Sequence, residues 1–401
     1  MPFEVVCAEC FEDPDLRRFI REQDGEPGCD FCGCDDAPTA ELDVLGPFMR
    51  KCLLRSYSLA NAELLWADDF SPRWTTYEVL FEEEQLELPR KGADELRTAL
   101  VKAVEPDEEW CEYDPARLPE NESMVSDWKQ FARLVKYERR FFFHDLGTSD
   151  DVNEDRLSPR QLLRAIGAIA SHTDLVVELP AGTSLFRART RKRDQRFTTA
   201  QDLGPPPPDR ALQSNRMNPP GVPMFYGAET RELAYREIRR RRISLGQFVV
   251  ERPLRILDLI RLPEILGTFS GATRERIMAT RFLHQFAQLV SEPVDRDDRT
   301  ELDYIPTQVF TEFLRDYPFP GGAIDGVRYR SALVPTAGVE FDLFHQLGAN
   351  MVLFATQDDL VRDVPMPMHP ARRTRAGWLR LERVWHYPRL RRLALTDAAT
   401  P

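Results

Sequence analysis

The sequence has no long apolar run, no secretory signal and no glycine-rich nucleotide motif. Its longest apolar stretches fall well short of the ~18 residues that a membrane-spanning helix needs. The first residues, MPFEVVCAEC, have neither the basic region nor the long apolar core of a secretory signal. A Gly-x-Gly-x-x-Gly motif after a strand is also missing, which argues against a hydride-transfer dinucleotide fold. We therefore expect a cytoplasmic protein without membrane contact, whose cysteines are reduced or metal-bound rather than paired.

The chain also lacks positive net charge. Its formal charge of −12 makes non-specific nucleic-acid binding by the whole chain unlikely. The charge is uneven, since the acidic segments 81–96 and 105–114 precede the arginine-rich segments 187–196 and 235–242. Those arginines predict either a local anion site or solvated surfaces. At 401 residues, of which 42% are apolar, the chain is long enough for two or three domains with buried cores.

Five of the seven cysteines lie in the first 34 residues. Cys7 with Cys10 and Cys29 with Cys32 form two CxxC pairs, and each such turn can point two thiolates at one cation. Zinc favours a shell of four sulfurs, and a metal held in this way would be structural because no position is left for water. An unmetallated cluster or an iron–sulfur site is the alternative. Cys34 competes with Cys32 as the fourth ligand, whereas Cys52 and Cys111 are expected outside the site.

Residues 41–177 have mostly helical patterns. In DWKQFARLVK, apolar side chains recur at spacings of three and four residues and predict one buried stripe; they are Trp128, Phe131, Leu134 and Val135. Ser158 followed by Pro159 is typical of a helix start, with a capping hydroxyl and proline in the first turn.

Arg139 and His144, in RRFFFH, indicate a second function, ribonuclease activity. Their spacing resembles the Arg–x(4–6)–His motif of HEPN ribonucleases, in which the histidine could do acid–base chemistry on an RNA 2′-hydroxyl. Arg140 stands where those enzymes carry a polar residue, and three phenylalanines between the pair suggest core. A structural or dimerising helical domain is the alternative interpretation.

After residue 178 the pattern changes to short strands and turns. In TSLFRART, Leu185, Arg187 and Arg189 alternate onto one face of a predicted strand. Arg216 precedes the turn NPPG, and Tyr226 lies in the next predicted strand.

Glu237 falls on the apolar side of the helix predicted after Thr230, its expected cap. A carboxylate is costly there unless it is paired, so the pattern predicts either a functional site or a salt bridge with Arg187 or Arg216. Farther along, Val327, Tyr329 and Ser331 share one face of a strand, which predicts that Ser331 points into a cleft or the core.

These segments together resemble the RES domain, named for its arginine, glutamate and serine. The matching pieces keep their order: LFR (185–187), GPPPP (204–208), RMNPPGVPMFY (216–226), Glu237, ILDL (256–259), TQ (307–308), DGVRYRS (325–331) and VLF (352–354). Phe186, Met217 and Arg330 depart from the family pattern. The N-terminal CAECF and CDFCG segments, with the helical pattern that follows, resemble the HEPN-type domain that precedes some RES domains.

The resemblance implies an α+β protein: a zinc-binding ribbon and helical domain, then a mixed α/β domain with an ADP-ribosyltransferase-like fold that acts on NAD+. It also implies roles for five residues. Glu237 would stabilise the positive ribose as nicotinamide leaves, and Arg187 and Arg216 would bind the pyrophosphate. Tyr226 would stack on nicotinamide or ribose, and Ser331 would bind the ribose or position Glu237.

The expected function is therefore cleavage of NAD+ at the nicotinamide–ribose bond, with water or phosphate as acceptor, in a toxin or antiphage-type effector. Mono-ADP-ribosylation of a protein, or RNA binding or cleavage by a HEPN-type protein whose RES domain senses a nucleotide, are the alternatives. The expected domains are 1–40 (zinc), 41–177 (helical), 178–360 (RES) and a basic tail at 361–401. Expected partners are NAD+, a neutralising protein and a second copy bound through the helical domain.

Overall fold

A computed structural model describes residues 4–60, 72–107, 109–114, 117–142, 156–238, 242–292, 294, 300–331, 348–366 and 369–388. The chain divides into two compact units. The first is Met1–Val125 with Glu264–Leu283, and the second is Ser126–Pro263 with His284–Pro401. Within the described residues, no helix combines the length and apolarity required to cross a membrane.

The first unit contains short strands and helices, in the order β1 (Val5–Cys7), α1 (Pro14–Glu22), β2 (Thr39–Glu41), α2 (Leu42–Leu53), β3 (Tyr57–Leu59), α3 (Thr76–Glu78), α4 (Ala93–Val104) and β4 (Trp110–Glu112). A π-helical segment, Val79–Glu83, continues α3, and 3-10 turns cover Ala8–Cys10 and Thr268–Ser270. Strand β1 pairs antiparallel with β2, and β3 pairs antiparallel with β4. Asp13 caps α1 by accepting hydrogen bonds from the backbone N–H groups of Asp15 and Leu16, ahead of Pro14.

One apolar cluster holds the first unit together. The rings of Phe19 and Phe48 stack with centroids 3.8 Å apart, and Trp110 is completely buried. Gly46 lets α2 approach α4 closely, since a Cβ at this position would overlap the carbonyl oxygen of Ala103. The core is therefore built by helix packing rather than by a large sheet.

The second unit contains most of the remaining elements: α6 (Pro159–His172), β5 (Val176–Leu179), β6 (Ser184–Thr190), α7 (Ala200–Leu203), β7 (Phe225–Ala228), α8 (Arg231–Ile238), β8 (Ile243–Val250), β9 (Leu254–Asp258), α10 (Thr300–Asp303), α11 (Ile305–Asp316), β10 (Gly326–Tyr329), β11 (Asn350–Leu353), β12 (Arg362–Met366), β13 (His369–Ala376) and β14 (Leu379–Tyr387). Two helices, α5 (Glu120–Tyr137) and α9 (Arg274–Ser291), hold residues of both units. 3-10 turns cover Pro208–Arg210 and Gln357–Asp359. Ser158 caps α6 in a reciprocal capping box with Gln161, as the sequence predicts.

Eight of the described strands form one mixed sheet, in the order β14-β8-β6-β7-β11-β10-β9-β5. Neighbours are antiparallel except β9 and β10, which are parallel. Strand β14 comes from the basic segment 361–401 and pairs with β8 along its length, so part of that segment belongs to the sheet. The predicted α+β class is confirmed, whereas its likeness to ADP-ribosyltransferases stays a prediction.

Apolar side chains cover both faces of this sheet. On one face, Leu185, Phe225, Phe248 and Met351 belong to a buried cluster. On the other, Ala228 packs with Leu233 and Ala234 of α8, and with Ile243 and Leu245. Helix α8 is thus fixed against the sheet by its apolar side, which orients the rest of the helix.

Most of the stripe predicted in α5 is buried in a separate aromatic cluster of the second unit, whereas Leu134 is half-buried. The ring of Trp128 lies with its centroid 4.9 Å from that of Phe286, and Phe286 lies 5.1 Å from Phe310. Phe131 and Val135 are also buried. Edge-on aromatic packing of this kind fixes the relative positions of α5, α9 and α11.

Candidate active site

The turn before β7 is closed by Tyr226. Its hydroxyl donates to Asn218 Oδ1 at 2.6 Å and accepts from the backbone N–H of Met217 at 3.1 Å. Asn218 Nδ2 in turn donates to the carbonyl of Val222 at 2.7 Å. Gly221 has a φ of 87°, a left-handed conformation that favours glycine. The proline-rich turn is therefore held by side-chain hydrogen bonds, and Tyr226 is part of its frame.

Arg216 lies on the same turn, but its guanidinium binds backbone rather than a carboxylate. Its Nη1 and Nη2 donate to the carbonyl oxygens of Val290 and Glu292, both at 2.7 Å. The guanidinium also lies over the ring of Tyr304, 5.5 Å from its centroid. Arg216 thus brings a positive charge to the turn while joining it to the end of α9.

Glu237 lies in the last turn of α8, which starts with the Thr230 hydroxyl accepting from the N–H of Leu233 at 3.1 Å. Its carboxylate oxygen Oε1 accepts from Ser331 Oγ and from Asn350 Nδ2, both at 2.8 Å. The salt bridge that the sequence left open, with Arg187 or Arg216, is not formed, although all three residues are described. Within the described part of the chain, Oε2 has no hydrogen-bond partner.

Arg187 lies where the sheet opens. Strand β6 pairs with β8 along its length but shares only the pair Phe186–Ala228 with β7. There Arg187 lies over the ring of Phe225, 5.4 Å from its centroid, and Nη1 donates to the carbonyl of Tyr226 at 3.4 Å. Burial, followed by the nearby charge of Arg189, lowers the pKa of Arg187 to about 10. Among the described residues the guanidinium makes this one hydrogen bond, so the other donors of this partly buried cation are suited to an anionic ligand.

Two tyrosines, Tyr226 and Tyr329, lie among these charged groups. The strand register puts Tyr226, Asn350 and Tyr329 on one face of the sheet, because Val352 pairs with Tyr226 and Asn350 pairs with Tyr329. Burial raises the pKa of Tyr226 well above its usual value, and the neighbouring Tyr329 adds to the effect. The phenol of Tyr226 is therefore neutral at pH 7.

On the other face of the sheet, beneath Tyr329, a buried ionic cluster joins four segments. Arg328 binds Glu229 through Nε at 2.7 Å and Asp258 through Nη1 at 2.8 Å. Glu229 also accepts from the backbone N–H of Ala349 at 2.9 Å. Burial opposes the charge of Arg328, but the hydrogen bonds and charges of Glu229 and Asp258 raise its pKa. This cluster, which sequence reasoning missed, connects the segments that bear Glu237, Ser331 and Asn350.

The four predicted metal ligands lie together in the first unit. The Sγ atoms of Cys7 and Cys10 are 3.7 Å apart, those of Cys7 and Cys32 are 3.5 Å apart, and those of Cys10 and Cys29 are 3.7 Å apart. All four sulfurs are within 4.8 Å of one another. A tetrahedral zinc ion with Zn–S bonds of ~2.3 Å requires sulfurs ~3.8 Å apart, so the cluster fits such an ion.

The cysteine side chains cannot all be charged without a cation. Desolvation raises the pKa of Cys7 to about 12. The hydrogen bond between Cys10 and Cys29 raises the pKa of Cys10 and lowers that of Cys29 to about 4. Cys34 is outside this group of four, and its carbonyl accepts from the N–H of Cys29 at 3.0 Å. Cys32 is therefore the fourth sulfur of the cluster.

Two family models match the chain. Residues 22–149 match HEPN/RES N-terminal domain 1, and residues 184–381 match the RES domain. The chain therefore contains a RES domain, preceded by a HEPN/RES N-terminal domain. No curated protein and no solved structure matches the chain.

The RES match begins at the first residue of β6 and ends within β14. It therefore contains Arg187, Arg216, Tyr226, Glu237 and Ser331. RES domains are associated with NAD+-acting enzymes and toxins. The domain boundaries expected at 178 and 360 stay predictions.

Of the sequence-predicted residues of the RES domain, Glu237 and Ser331 are in direct contact, and Arg187 contacts the backbone of Tyr226. Asn350 was missed. It opens the strand NMVLFA, where its amide gave no signal of function.

The HEPN-type pair lies partly outside the described residues. Arg139 is exposed just after the end of α5, and the structure does not describe His144. The ribonuclease hypothesis for this pair therefore stays a prediction.

Proposed function

We propose that the RES domain cleaves NAD+ at the nicotinamide–ribose bond, and that the protein acts as a toxin or antiphage-type effector. The supporting observation is the carboxylate of Glu237, which is held through Oε1 by Ser331 and Asn350 and leaves Oε2 for a ligand. A fixed carboxylate is suited to a reaction in which positive charge develops beside it.

Glu237 would act on the ribose. As the C1′–N bond breaks, its electron pair neutralises the pyridinium ring, nicotinamide leaves, and the ribose becomes oxocarbenium-like. Oε2 of Glu237 would stabilise that charge. When water is the acceptor, a C1′–O bond forms and a proton is released, which gives ADP-ribose. Phosphate as acceptor would give ADP-ribose 1″-phosphate.

The two arginines would have unequal roles in binding the pyrophosphate. Arg187 has donors to spare and lies at the opening between β6 and β7, so it would contact phosphate oxygens directly. Arg216 has both Nη groups bonded to carbonyls, so it would contribute mainly its charge and a fixed turn. Tyr226, held by Asn218, would present its ring to the nicotinamide or ribose and exclude water.

The direct test is to follow nicotinamide release from NAD+ by the purified chain. We expect release by the wild type and a loss of at least about 100-fold in Glu237→Gln, which keeps the size of the side chain but removes its charge. Glu232→Gln is the matched control, since Glu232 lies on the same helix and pairs with Arg236 at the surface. A wild type that releases no nicotinamide, or a Glu237→Gln variant as active as the control, contradicts the proposal.

The acceptor is resolved in the same assay. Hydrolysis predicts ADP-ribose with or without phosphate, whereas phosphorolysis predicts that release depends on added phosphate. Mono-ADP-ribosylation is the alternative, and it predicts that radiolabelled ADP-ribose from NAD+ becomes attached to a protein.

A toxin must be inhibited in the cell that makes it, so we also propose a neutralising partner protein.

A further inference from the structure

Tyr329 is the last residue of β10 and lies directly opposite Asn350 of β11. It is 6% exposed, and it shares the sheet face of Tyr226 and Asn350. Asn350 donates a hydrogen bond to Oε1 of Glu237. Tyr329 is therefore the cross-strand neighbour of a residue that contacts the carboxylate.

The hydroxyl of Tyr329 has no hydrogen-bond partner among the described residues, although the ring is buried. A buried tyrosine normally finds a partner for its hydroxyl, because leaving the group unpaired destabilises the fold. Within the described part of the chain, the hydroxyl is thus left with a donor and an acceptor to offer a ligand.

The charged and titratable groups around Tyr329 come from several elements. Burial raises the pKa of Tyr329, Arg216 opposes this, and Glu237 and Tyr304 add to it. Tyr226 lies nearby, since Tyr329 in turn raises the pKa of Tyr226. The phenol is neutral at pH 7 and can donate its proton in a hydrogen bond beside a carboxylate.

We propose that Tyr329 is a substrate-binding residue whose hydroxyl donates a hydrogen bond to a hydroxyl of the ribose that carries the leaving nicotinamide. The inference depends on the proposed NAD+ cleavage, because Glu237 must then lie against this ribose. Tyr329, on the same sheet face and next to the residue that holds Glu237, is placed to contact the same sugar. The substrate would supply a partner that the hydroxyl lacks among the described residues.

The test is Tyr329→Phe, which removes only the hydroxyl. We expect kcat/KM for NAD+ to fall about tenfold. Two analogues of NAD+ test the contact further: one lacks the 2′ hydroxyl of the nicotinamide ribose, and the other lacks the 3′ hydroxyl. The wild type should prefer NAD+ over the analogue that lacks the hydroxyl bound by Tyr329. Tyr329→Phe should lose this preference. Tyr317→Phe is the matched control, since Tyr317 packs against Gly167 and Phe319 in the same unit. We expect the control to behave like the wild type.

Melting temperature separates this role from a structural one. Tyr329→Phe breaks no hydrogen bond with a described residue, so it should melt at or above the wild-type temperature, whereas a structural hydroxyl would make it melt lower. Unchanged kcat/KM and unchanged discrimination in Tyr329→Phe would overturn the inference.

Failure of the proposed function gives a different result. A wild type that binds NAD+ without releasing nicotinamide contradicts NAD+ cleavage alone, and the role of Tyr329 is then decided by binding. Weaker NAD+ binding by Tyr329→Phe supports the role, and equal binding overturns it. A wild type that neither binds nor cleaves NAD+ overturns both.

Discussion

Ser331 donates a hydrogen bond of 2.8 Å to Oε1 of Glu237, across 94 residues of chain. Ser331 follows the end of β10, is 1% exposed, and reaches a carboxylate in the last turn of α8. Asn350 donates to the same oxygen from the start of β11. Two donors on one oxygen fix the direction of the carboxylate, so its second oxygen faces a defined place.

Ser331→Ala and Asn350→Ala should each lower kcat for NAD+ cleavage by about 10- to 100-fold with little change in KM. Each removes one donor that orients Glu237, and loss of orientation affects the transition state more than binding. Steady-state nicotinamide release measures both constants. Ser184→Ala is the control, since Ser184 accepts from Gln247 elsewhere in the same sheet. A rise in KM at constant kcat would show instead that Ser331 and Asn350 act only in binding.

Arg187→Met should weaken NAD+ binding at least tenfold while leaving the protein as stable as the wild type or more so. Burial lowers the pKa of Arg187 to about 10, below its ordinary value of 12.5, so its charge destabilises the fold at neutral pH. That penalty fades only as the pH rises through about 10. Calorimetry gives the affinity, and thermal unfolding gives the stability.

Arg189→Met is the control for Arg187, because Arg189 is exposed and lies over Phe197. We expect this variant to bind NAD+ like the wild type. A less stable Arg187→Met that binds NAD+ normally would assign Arg187 a structural role.

Local sequence patterns predicted the features that depend on neighbours along the chain. The caps at Ser158 and Thr230 and the inward face of α8 follow from the helical repeat and short-range hydrogen bonds. The spacing of the CxxC pairs likewise anticipated the cysteine cluster. The partners Asn350 and Arg328 could not be found in this way, because sheet register decides which distant residues meet and no local pattern encodes it.

Arg328→Met should destabilise the second unit by about 3–5 kcal/mol. The substitution removes the cation that pairs with Asp258 and Glu229. Because the side chain of Asp258 is only 2% exposed, its charge would then be buried without a partner, which destabilises the fold. Urea unfolding measures the loss as a lower midpoint at unchanged slope. Arg252→Met is the matched control, since Arg252 pairs with Asp325 at the surface and should contribute at most about 1 kcal/mol. Equal losses in the two variants would contradict the role assigned to the cluster.

Metal analysis should find about one zinc ion per chain, held by Cys7, Cys10, Cys29 and Cys32. Cys10→Ser should lose the zinc and unfold at a lower temperature, because a structural site with four sulfur ligands contributes its binding energy to folding. Cys34→Ser should keep the zinc, since Cys34 is outside the group of four sulfurs. The reverse pattern, with zinc lost in Cys34→Ser and kept in Cys32→Ser, would show that Cys34 replaces Cys32 as the fourth ligand.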